Sequence, residues 1–363
     1  MKKKVFSVLL TVALATGVLA GCGSSAATGN NAATGAAQNE GSQTASATTA
    51  GEESGDTIVI RSFFATGMTG AVNRFAIEKG LYKELGIEFE NVEASADTNS
   101  TVMSLITRGE IDVADGDPSS YIPGIYNGVP AKLVGNMWRY SGCYWLVANN
   151  DIQDFSDLEG KKVGTAGASG GMRLSVLKML EKNGVSTDNV DLIANGVYQT
   201  AYASLTSGEV DATIIHNPYA ALAEADGTGH ILGRAWDYIP DYYTGTIIAS
   251  NSFIENEPEK LQRFLTAYYQ VHEEVKNDYF DEFVAWAAKE MNTSEEVMRK
   301  AIESEIDVWL DYPVIPEDRL ATTFEYLKEY GWVDENVSYE GTYTNEFAQV
   351  AADTLGMTDP EAK

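Results

Sequence analysis

The sequence has 363 residues, of which 44% are hydrophobic and 21% are charged, and its formal net charge is −28 at pH 7. A chain of this length forms roughly two or three domains, and its hydrophobic content is that of a globular protein. The acidic balance argues against a nucleic-acid partner, because phosphates require a basic face, and against adsorption on anionic lipid headgroups.

The first 22 residues predict an export signal. Three lysines precede the apolar run 5–20, which is the arrangement of a secretory signal. The segment ends in Leu-Ala-Gly-Cys22, which resembles the bacterial lipobox, whose cysteine is acylated and becomes the first mature residue. An uncleaved membrane anchor is the weaker alternative, because it needs about 20 apolar residues. We therefore expect residues 1–22 to be a lipoprotein signal and Cys22 to hold the protein outside the cytoplasm, on the outer face of the membrane or in the periplasm.

A tether and then a regular alternation of strands and helices follow the signal. Residues 23–55 are rich in Ala, Ser, Thr, Gly and Asn, and such a composition predicts a flexible linker. Helical stretches separate the apolar runs after it, which is typical of a parallel sheet covered by helices. The strands predicted here are 57–64, 86–92, 131–138, 163–165 and 190–194.

One stretch of sequence occurs twice. Residues 104–118 and 204–218 each contain the tail of a helix, a glycine, Glu, an apolar residue, Asp, a short apolar run, a polar tip and Pro. A glycine after a helix takes the left-handed cap conformation, and the apolar run predicts a buried strand. The polar tip then lies at the carboxyl edge of a sheet, where open α/β sheets bind ligands. Two copies predict two similar lobes whose loops face one ligand.

The last hundred residues have a different pattern. Long amphipathic helices are predicted at 258–276, after the capping box 293–296, at 316–330 and at 345–355. Because no strands alternate with them, we expect these helices to pack on the first lobe. The predicted boundaries are 56–143 with 246–363 for the first lobe, and 144–245 for the second.

In this order, the motifs resemble the nitrate/sulfonate/taurine-type solute-binding proteins of ATP-binding-cassette importers, some of whose relatives bind a thiamine pyrimidine precursor or riboflavin. The resemblance implies an α/β fold of the two-lobe periplasmic-binding-protein type (type II), with chain crossings near 142–148 and 241–246. It also implies a monomer without cofactor or metal, whose hinge closes on a solute and whose closed state a membrane permease reads. One departure is Asn217, where the family often has Glu before the Pro. The matching segments are 76–83, 109–112, 116–118, 157–163, 167–169, 205–211 and 217–220.

Candidate ligand residues lie in the loops that follow strands. The Gly-rich loop 166–171 opens a helix, and a helix N-terminus with its free N–H groups binds anions; alternatively, Ser169 caps this helix. The spacing is not that of a dinucleotide fingerprint. Arg139 lies among aromatic residues near the first crossing, where it could bind a planar anion or stack on a heterocycle, or lie at the rim of a buried strand. The full set of candidates is Phe63, Phe64, Thr66, Thr69, Asp117, Ser119, Trp138, Arg139, Tyr140, Ser169, Gly170, Gly171, Tyr198, His216 and Asn217.

Three functional hypotheses are open at this point. The first is a substrate-binding lipoprotein that captures a small sulfonate- or nitrate-like anion. The second is the same protein binding an aromatic heterocycle, such as a pyrimidine or a flavin, because tyrosines and tryptophans are dense near both crossings. The third is an enzyme or a sensor lobe on the same fold. Three histidines and one unlipidated cysteine without a Ser/His/Asp or metal-ligand spacing give an enzyme little support.

Overall fold

A computed structural model of the protein describes residues 57–91, 98–137, 142–309 and 311–361. The predicted signal 1–22, Cys22 and the linker 23–55 lie outside the described residues, and so do Trp138, Arg139 and Tyr140. The strands in chain order are β1 (Ile58–Phe63), β2 (Ile87–Asn91), β3 (Val113–Gly116), β4 (Ala131–Asn136), β5 (Trp145–Ala148), β6 (Lys162–Gly164), β7 (Asp191–Ile193), β8 (Ala212–Ile215), β9 (His230–Arg234) and β10 (Thr246–Ser250). The α-helices are α1 (Met68–Lys79), α2 (Leu81–Glu84), α3 (Thr98–Thr107), α4 (Pro118–Tyr126), α5 (Gly171–Lys182), α6 (Tyr198–Thr206), α7 (Tyr219–Ala225), α8 (Ala235–Tyr238), α9 (Asn251–Asn256), α10 (Pro258–Asn277), α11 (Phe280–Glu290), α12 (Glu295–Glu303), α13 (Glu317–Glu329) and α14 (Glu346–Leu355).

The strands form two sheets with the same topology. The first sheet has the order β2-β1-β3-β10-β4 and the second has the order β7-β6-β8-β5-β9. In each sheet the first three strands are parallel, and one antiparallel strand, β10 or β5, pairs beside them. Each antiparallel strand comes directly after the chain leaves the other sheet, so the chain crosses between the sheets between β4 and β5 and again between α8 and β10. We call each sheet with the helices packed on it a lobe.

The repeated sequence makes equivalent hydrogen bonds in both lobes. The Arg61 amide donates to the Asp112 carboxylate at 2.9 Å, and the Lys162 amide donates to the Asp211 carboxylate at 2.9 Å. Asp112 therefore ties the start of β3 to β1, and Asp211 ties the start of β8 to β6. The glycines before them, Gly109 and Gly208, have left-handed φ values of 70° and 74°, which confirms the predicted helix caps.

The C-terminal helices pack on the first sheet, as predicted. On one face, Ile60 and Val134 contact a core that includes Phe264 of α10. On the other face, Ile248 belongs to a core with Phe324 of α13. Burying one such side chain stabilises the fold by about 1.5–3 kcal/mol. The second sheet has smaller cores on its two faces, built with α5 and with α6.

The same C-terminal helices also contact the second lobe. Lys178 of α5 forms an ion pair with Glu329 of α13 at 2.7 Å. Its ammonium group lies 5.0 Å and 5.2 Å from the ring centres of Tyr326 and Tyr330. On α12, Lys300 forms an ion pair with Glu224 at 3.0 Å. The extension is therefore shared between the lobes, which the sequence did not predict.

Three helices begin earlier than predicted, and this moves polar residues from loops into first helical turns. The helices α1, α4 and α6 start at Met68, Pro118 and Tyr198, whereas the sequence pattern predicts helices over 71–79, 121–126 and 200–206. For α4 the reason is local, because Asp117 caps the helix and Pro118 is suited to its first position. In the capping box 293–296, Ser294 is the cap of α12, not the preceding threonine. Helix α11 was not predicted.

Candidate functional site

A cleft of about 590 Å³ lies between the carboxyl ends of the parallel strands of the two sheets. This is where strand-end loops are expected to bind a ligand. Eight of the predicted residues line it: Thr69, Asp117, Ser119, Ser169, Gly170, Gly171, Tyr198 and His216. Within the part of the chain that the structure describes, no cluster of three or more potential metal ligands occurs, and no helix has the length and apolar character needed to cross a membrane.

The Asp117 carboxylate connects the two lobes inside the cleft. One oxygen accepts a hydrogen bond from the Ser119 amide at 2.8 Å, which caps α4, and the other accepts from the Gly171 amide at 2.8 Å. Gly171 is the first residue of α5 in the second lobe. Burial raises the pKa of Asp117, and the hydrogen bonds from Ser119 and Gly171 partly offset this.

The start of α5 takes its cap from the other lobe. Gly170 precedes the helix with φ 93°, and no side chain of its own loop caps the helix. The alternative that Ser169 caps it is therefore wrong. A Cβ atom on Gly171 would lie 2.6 Å from the Asp117 carboxylate and 2.8 Å from the Tyr242 hydroxyl. Only glycine allows the two lobes to approach this closely.

A second carboxylate, that of Asp115, lines the cleft from the same strand end. Asp115 is buried, and the Asn73 amide donates to its carboxylate at 3.4 Å. Two buried acids from one tip give the cleft a negative character. Among the described residues that line the cleft, none is Lys or Arg.

Three rings form the second lobe's wall. The His216 ring stacks on Tyr198, with centres 5.1 Å apart and planes at 24°, and meets Tyr144 edge-on at 5.0 Å. The Tyr198 hydroxyl hydrogen-bonds with Thr69 Oγ1 at 2.9 Å, which is a second contact between the lobes. Gly67 permits it, because a Cβ there would come within 2.0 Å of the Tyr198 ring. The cleft therefore combines acceptor carboxylates with ring faces.

Comparison with known proteins places this fold and sequence in a family. A model of the NMT1/THI5-like family matches residues 71–278, which is more than half of the chain. The chain belongs to the NMT1/THI5-like family. The predicted resemblance to solute-binding proteins of this type is thereby confirmed.

Relatives of the chain include proteins of two kinds. The binding protein YtlA of Bacillus subtilis is 25% identical over 207 residues, which are 56% of this chain and 61% of YtlA. The match therefore spans less than two thirds of that relative. A protein of Aspergillus parasiticus named 4-amino-5-hydroxymethyl-2-methylpyrimidine phosphate synthase is 22% identical over 300 residues, 78% of this chain and 85% of that protein.

The fold is also seen in solved structures. The periplasmic sulfonate-binding protein SsuA of Methylobacillus flagellatus superposes with a TM-score of 0.66 at 19% identity, covering 85% of this chain and 98% of that chain. This confirms the predicted two-lobe, periplasmic-binding-protein-like α/β fold.

Three predicted site residues of this NMT1/THI5-like chain do not line the cleft. Phe63 is fully buried in the core of the first sheet. Phe64 is buried and packs edge-on against Phe89, with ring centres 5.4 Å apart. Thr66 is exposed, and its carbonyl accepts from Arg74 at 2.7 Å. The aromatic pair at the strand end is core, because both rings point into the packed layers instead of into the loop.

Asn217 is also turned away from the cleft, and its side chain is used elsewhere. It is buried, and its amide nitrogen donates to the Ala301 carbonyl at 2.9 Å, to Ser304 Oγ at 3.2 Å and to Glu305 Oε2 at 3.0 Å. These acceptors lie at the end of α12. The departure from the family's usual Glu therefore concerns the contact with α12 and not the rim of the cleft.

Several cleft residues were missed by the sequence reasoning. Asp115 stands two residues before Asp117, on the same side of an extended chain, so the period of two could have identified it. Asn99 lies in the first turn of α3, and its amide donates to Ser120 Oγ at 3.2 Å. Trp332 comes from the C-terminal extension, and nothing in its local sequence indicates a cleft. Further examples are Ser100, Met103, Met137, Tyr144 and Thr244.

Proposed function

We propose that this protein is a substrate-binding lipoprotein of an ATP-binding-cassette importer that captures a small solute outside the cytoplasm. The observation that carries the proposal is the cleft between the strand ends of two sheets of equal topology. Membership of the NMT1/THI5-like family and the likeness to SsuA support it.

Capture works by hinge closure between the lobes 56–143 with 246–363 and 144–245. The two crossings form the hinge, and a solute that contacts both lobes favours the closed state. The bonds Asp117–Gly171 and Thr69–Tyr198 already join the lobes across the cleft. A permease then reads the closed state.

The solute is a small nitrogen heterocycle of the aminopyrimidine type. Asp115 and Asp117 supply acceptors for ring and amino N–H groups, and the stacked pair of Tyr198 and His216 supplies a face for the ring. The name of the Aspergillus parasiticus relative contains such a pyrimidine. The sulfonate- or nitrate-like anion that ranked first from the sequence fits less well, because it would lie beside two buried carboxylates.

A thermal-shift screen tests the solute class. The panel contains 4-amino-5-hydroxymethyl-2-methylpyrimidine, riboflavin, taurine, methanesulfonate and nitrate. A solute present at 100 times its Kd stabilises the folded protein by about 2.7 kcal/mol, and we expect the pyrimidine alone to raise the Tm. The absence of a shift with every compound, or a shift with the anions only, would contradict this solute class.

A matched pair of variants places the solute in the cleft. Tyr198 lines the cleft, whereas Tyr202, one turn later on the same helix, hydrogen-bonds with Asp226 outside it. Tyr198→Ala should abolish the pyrimidine shift and Tyr202→Ala should retain it. Mass spectrometry should recover the pyrimidine unchanged after incubation with the protein. Conversion of the pyrimidine would instead support the enzyme hypothesis.

The lipid anchor is tested in cells. The basic and apolar segment ending at Cys22 supports it. In the producing bacterium, the wild-type protein should incorporate labelled palmitate and sediment with membranes. Cys22→Ser should do neither, and a Cys22→Ser protein that still carries the label would refute acylation at this residue.

A further inference from the structure

The beginning of α5 has the properties of an anion site, and the protein's own carboxylate fills it. We infer that Asp117 is a specificity-determining residue that excludes free oxyanions from the cleft by occupying the anion position at the start of α5. This inference rests on the proposed function of the cleft as a solute site. It assigns to one residue the choice between the two solute classes that the sequence left open.

The first support is the geometry of the helix start. The helix α5 is 12 residues long and has no cap from its own loop. Its first N–H group donates to the Asp117 carboxylate at 2.8 Å. Free N–H groups and the helix dipole attract negative charge at this position. In this protein the charge is supplied by a side chain of the opposite lobe.

The second support is a pair of buried hydroxyl groups beside the same point. Ser119 lines the cleft and is 4% exposed, and Tyr242 is 1% exposed. Neither Ser119 Oγ nor the Tyr242 hydroxyl has a well-aligned hydrogen-bond partner within the described residues, although Ser119 Oγ lies near both the Asp117 carboxylate and the Tyr242 hydroxyl. The Tyr242 hydroxyl lies 2.8 Å, and the Tyr144 hydroxyl 3.1 Å, from where a Cβ atom of Gly171 would be. The Ser119 and Tyr242 hydroxyls are donors that an oxyanion at the helix start would use.

The consequence follows from Coulomb repulsion. An oxyanion at the start of α5 would lie within about 4 Å of the Asp117 carboxylate, where two like charges repel each other. The wild-type cleft therefore rejects oxyanions. Without the Asp117 carboxylate, the Gly171 amide and the Ser119 and Tyr242 hydroxyls are available to an anion.

The test uses a substitution that keeps the cap of α4. Serine is as good an N-cap as aspartate, so Asp117→Ser removes the charge from α5 while α4 remains capped. The control is Asp154→Ser, because Asp154 also caps a helical turn but lies outside the cleft. Binding of nitrate, sulfate, methanesulfonate and taurine is measured by calorimetry at constant ionic strength for all three proteins.

We expect Asp117→Ser to bind at least one of these anions about tenfold more tightly than the wild type, and Asp154→Ser to bind them as the wild type does. Equal anion binding in the wild type and Asp117→Ser overturns the inference, and so does an equal gain in Asp154→Ser. If Asp117→Ser does not fold, Asp117→Thr, another short and uncharged N-cap residue, takes its place with the same expected gain. Failure of the wild type to bind the pyrimidine would contradict the proposed solute class. The role of Asp117 is decided separately, by the binding of the four anions to the wild type and the variants.

Discussion

The polar tips of the two repeats occupy equivalent positions, one residue before a proline, but contain different residues. Asp117 of the first lobe reaches the start of α5 in the second lobe. Asn217 of the second lobe reaches the end of α12, which belongs to the C-terminal extension on the first sheet. Each tip therefore binds a helix end of the opposite side, one inside the cleft and the other outside it.

The difference shows that the polarity of the helix end selects the residue. A helix start presents unpaired N–H groups and partial positive charge, which suits the Asp117 carboxylate. A helix end presents unpaired carbonyls and partial negative charge, which suits the donor amide of Asn217. Glu305 adds a buried carboxylate to that second contact. A glutamate before Pro218, as is frequent in the family, would meet only acceptors here.

The largest expected effect comes from giving each tip the residue type of the other. Asn217→Asp would bury a carboxylate against the Ala301 carbonyl and Glu305, and an uncompensated buried charge costs about 3–5 kcal/mol. Asp117→Asn keeps a carbonyl acceptor for the Gly171 amide and should cost about 1 kcal/mol. Urea unfolding of both variants measures the two losses. Equal losses would mean that helix polarity does not select the residue.

Crowding the first tip tests how closely the lobes must approach there. Gly171→Ala would place a Cβ atom 2.6 Å from the Asp117 carboxylate, and such overpacking costs about 1–3 kcal/mol. The control is Gly167→Ala in the same loop, whose Cβ would have its nearest neighbour at 3.5 Å. We expect a lower Tm for Gly171→Ala and a nearly unchanged Tm for Gly167→Ala. A similar Tm for both proteins would show that the lobes separate easily at this point.

The smallest expected effect is a pH dependence of stability at the first tip. Burial raises the pKa of Asp117 above its unfolded value of about 3.9. Its contribution to stability is therefore present below that unfolded value and is lost as the pH rises through the folded pKa. The free energy of unfolding of the wild type relative to Asp117→Asn should fall from pH 4 to pH 7. The same difference measured with Asn195→Ala should stay constant, because the Asn195 amide donates to Ser204 Oγ and Thr213 Oγ1, which do not titrate in this range.

The fold could be predicted from the sequence because its signals are local. Two equivalent units are defined by the helix caps at Gly109 and Gly208 and by the short apolar runs that follow them. These signals do not depend on how the units pack against the rest of the chain. The directions of the tips could not be predicted, because they depend on distant partners. Asp117 finds its second partner 54 residues away and Asn217 finds its partner 84 residues away. Trp332 reaches the cleft because α13 packs beside it, and a pattern of residues at strand ends cannot predict this packing.

Lys178 imposes a mechanical condition on the molecule. Lys178 is paired with Glu329 and covered by Tyr326 and Tyr330. Separation of the two sheets must therefore either break these contacts or move α13 together with α5. If the contacts of Lys178 persist, the lobes rotate about them, and the parts of each lobe farthest from Lys178 move the greatest distance. The C-terminal extension would then contain the axis of this rotation and would also be part of the scaffold.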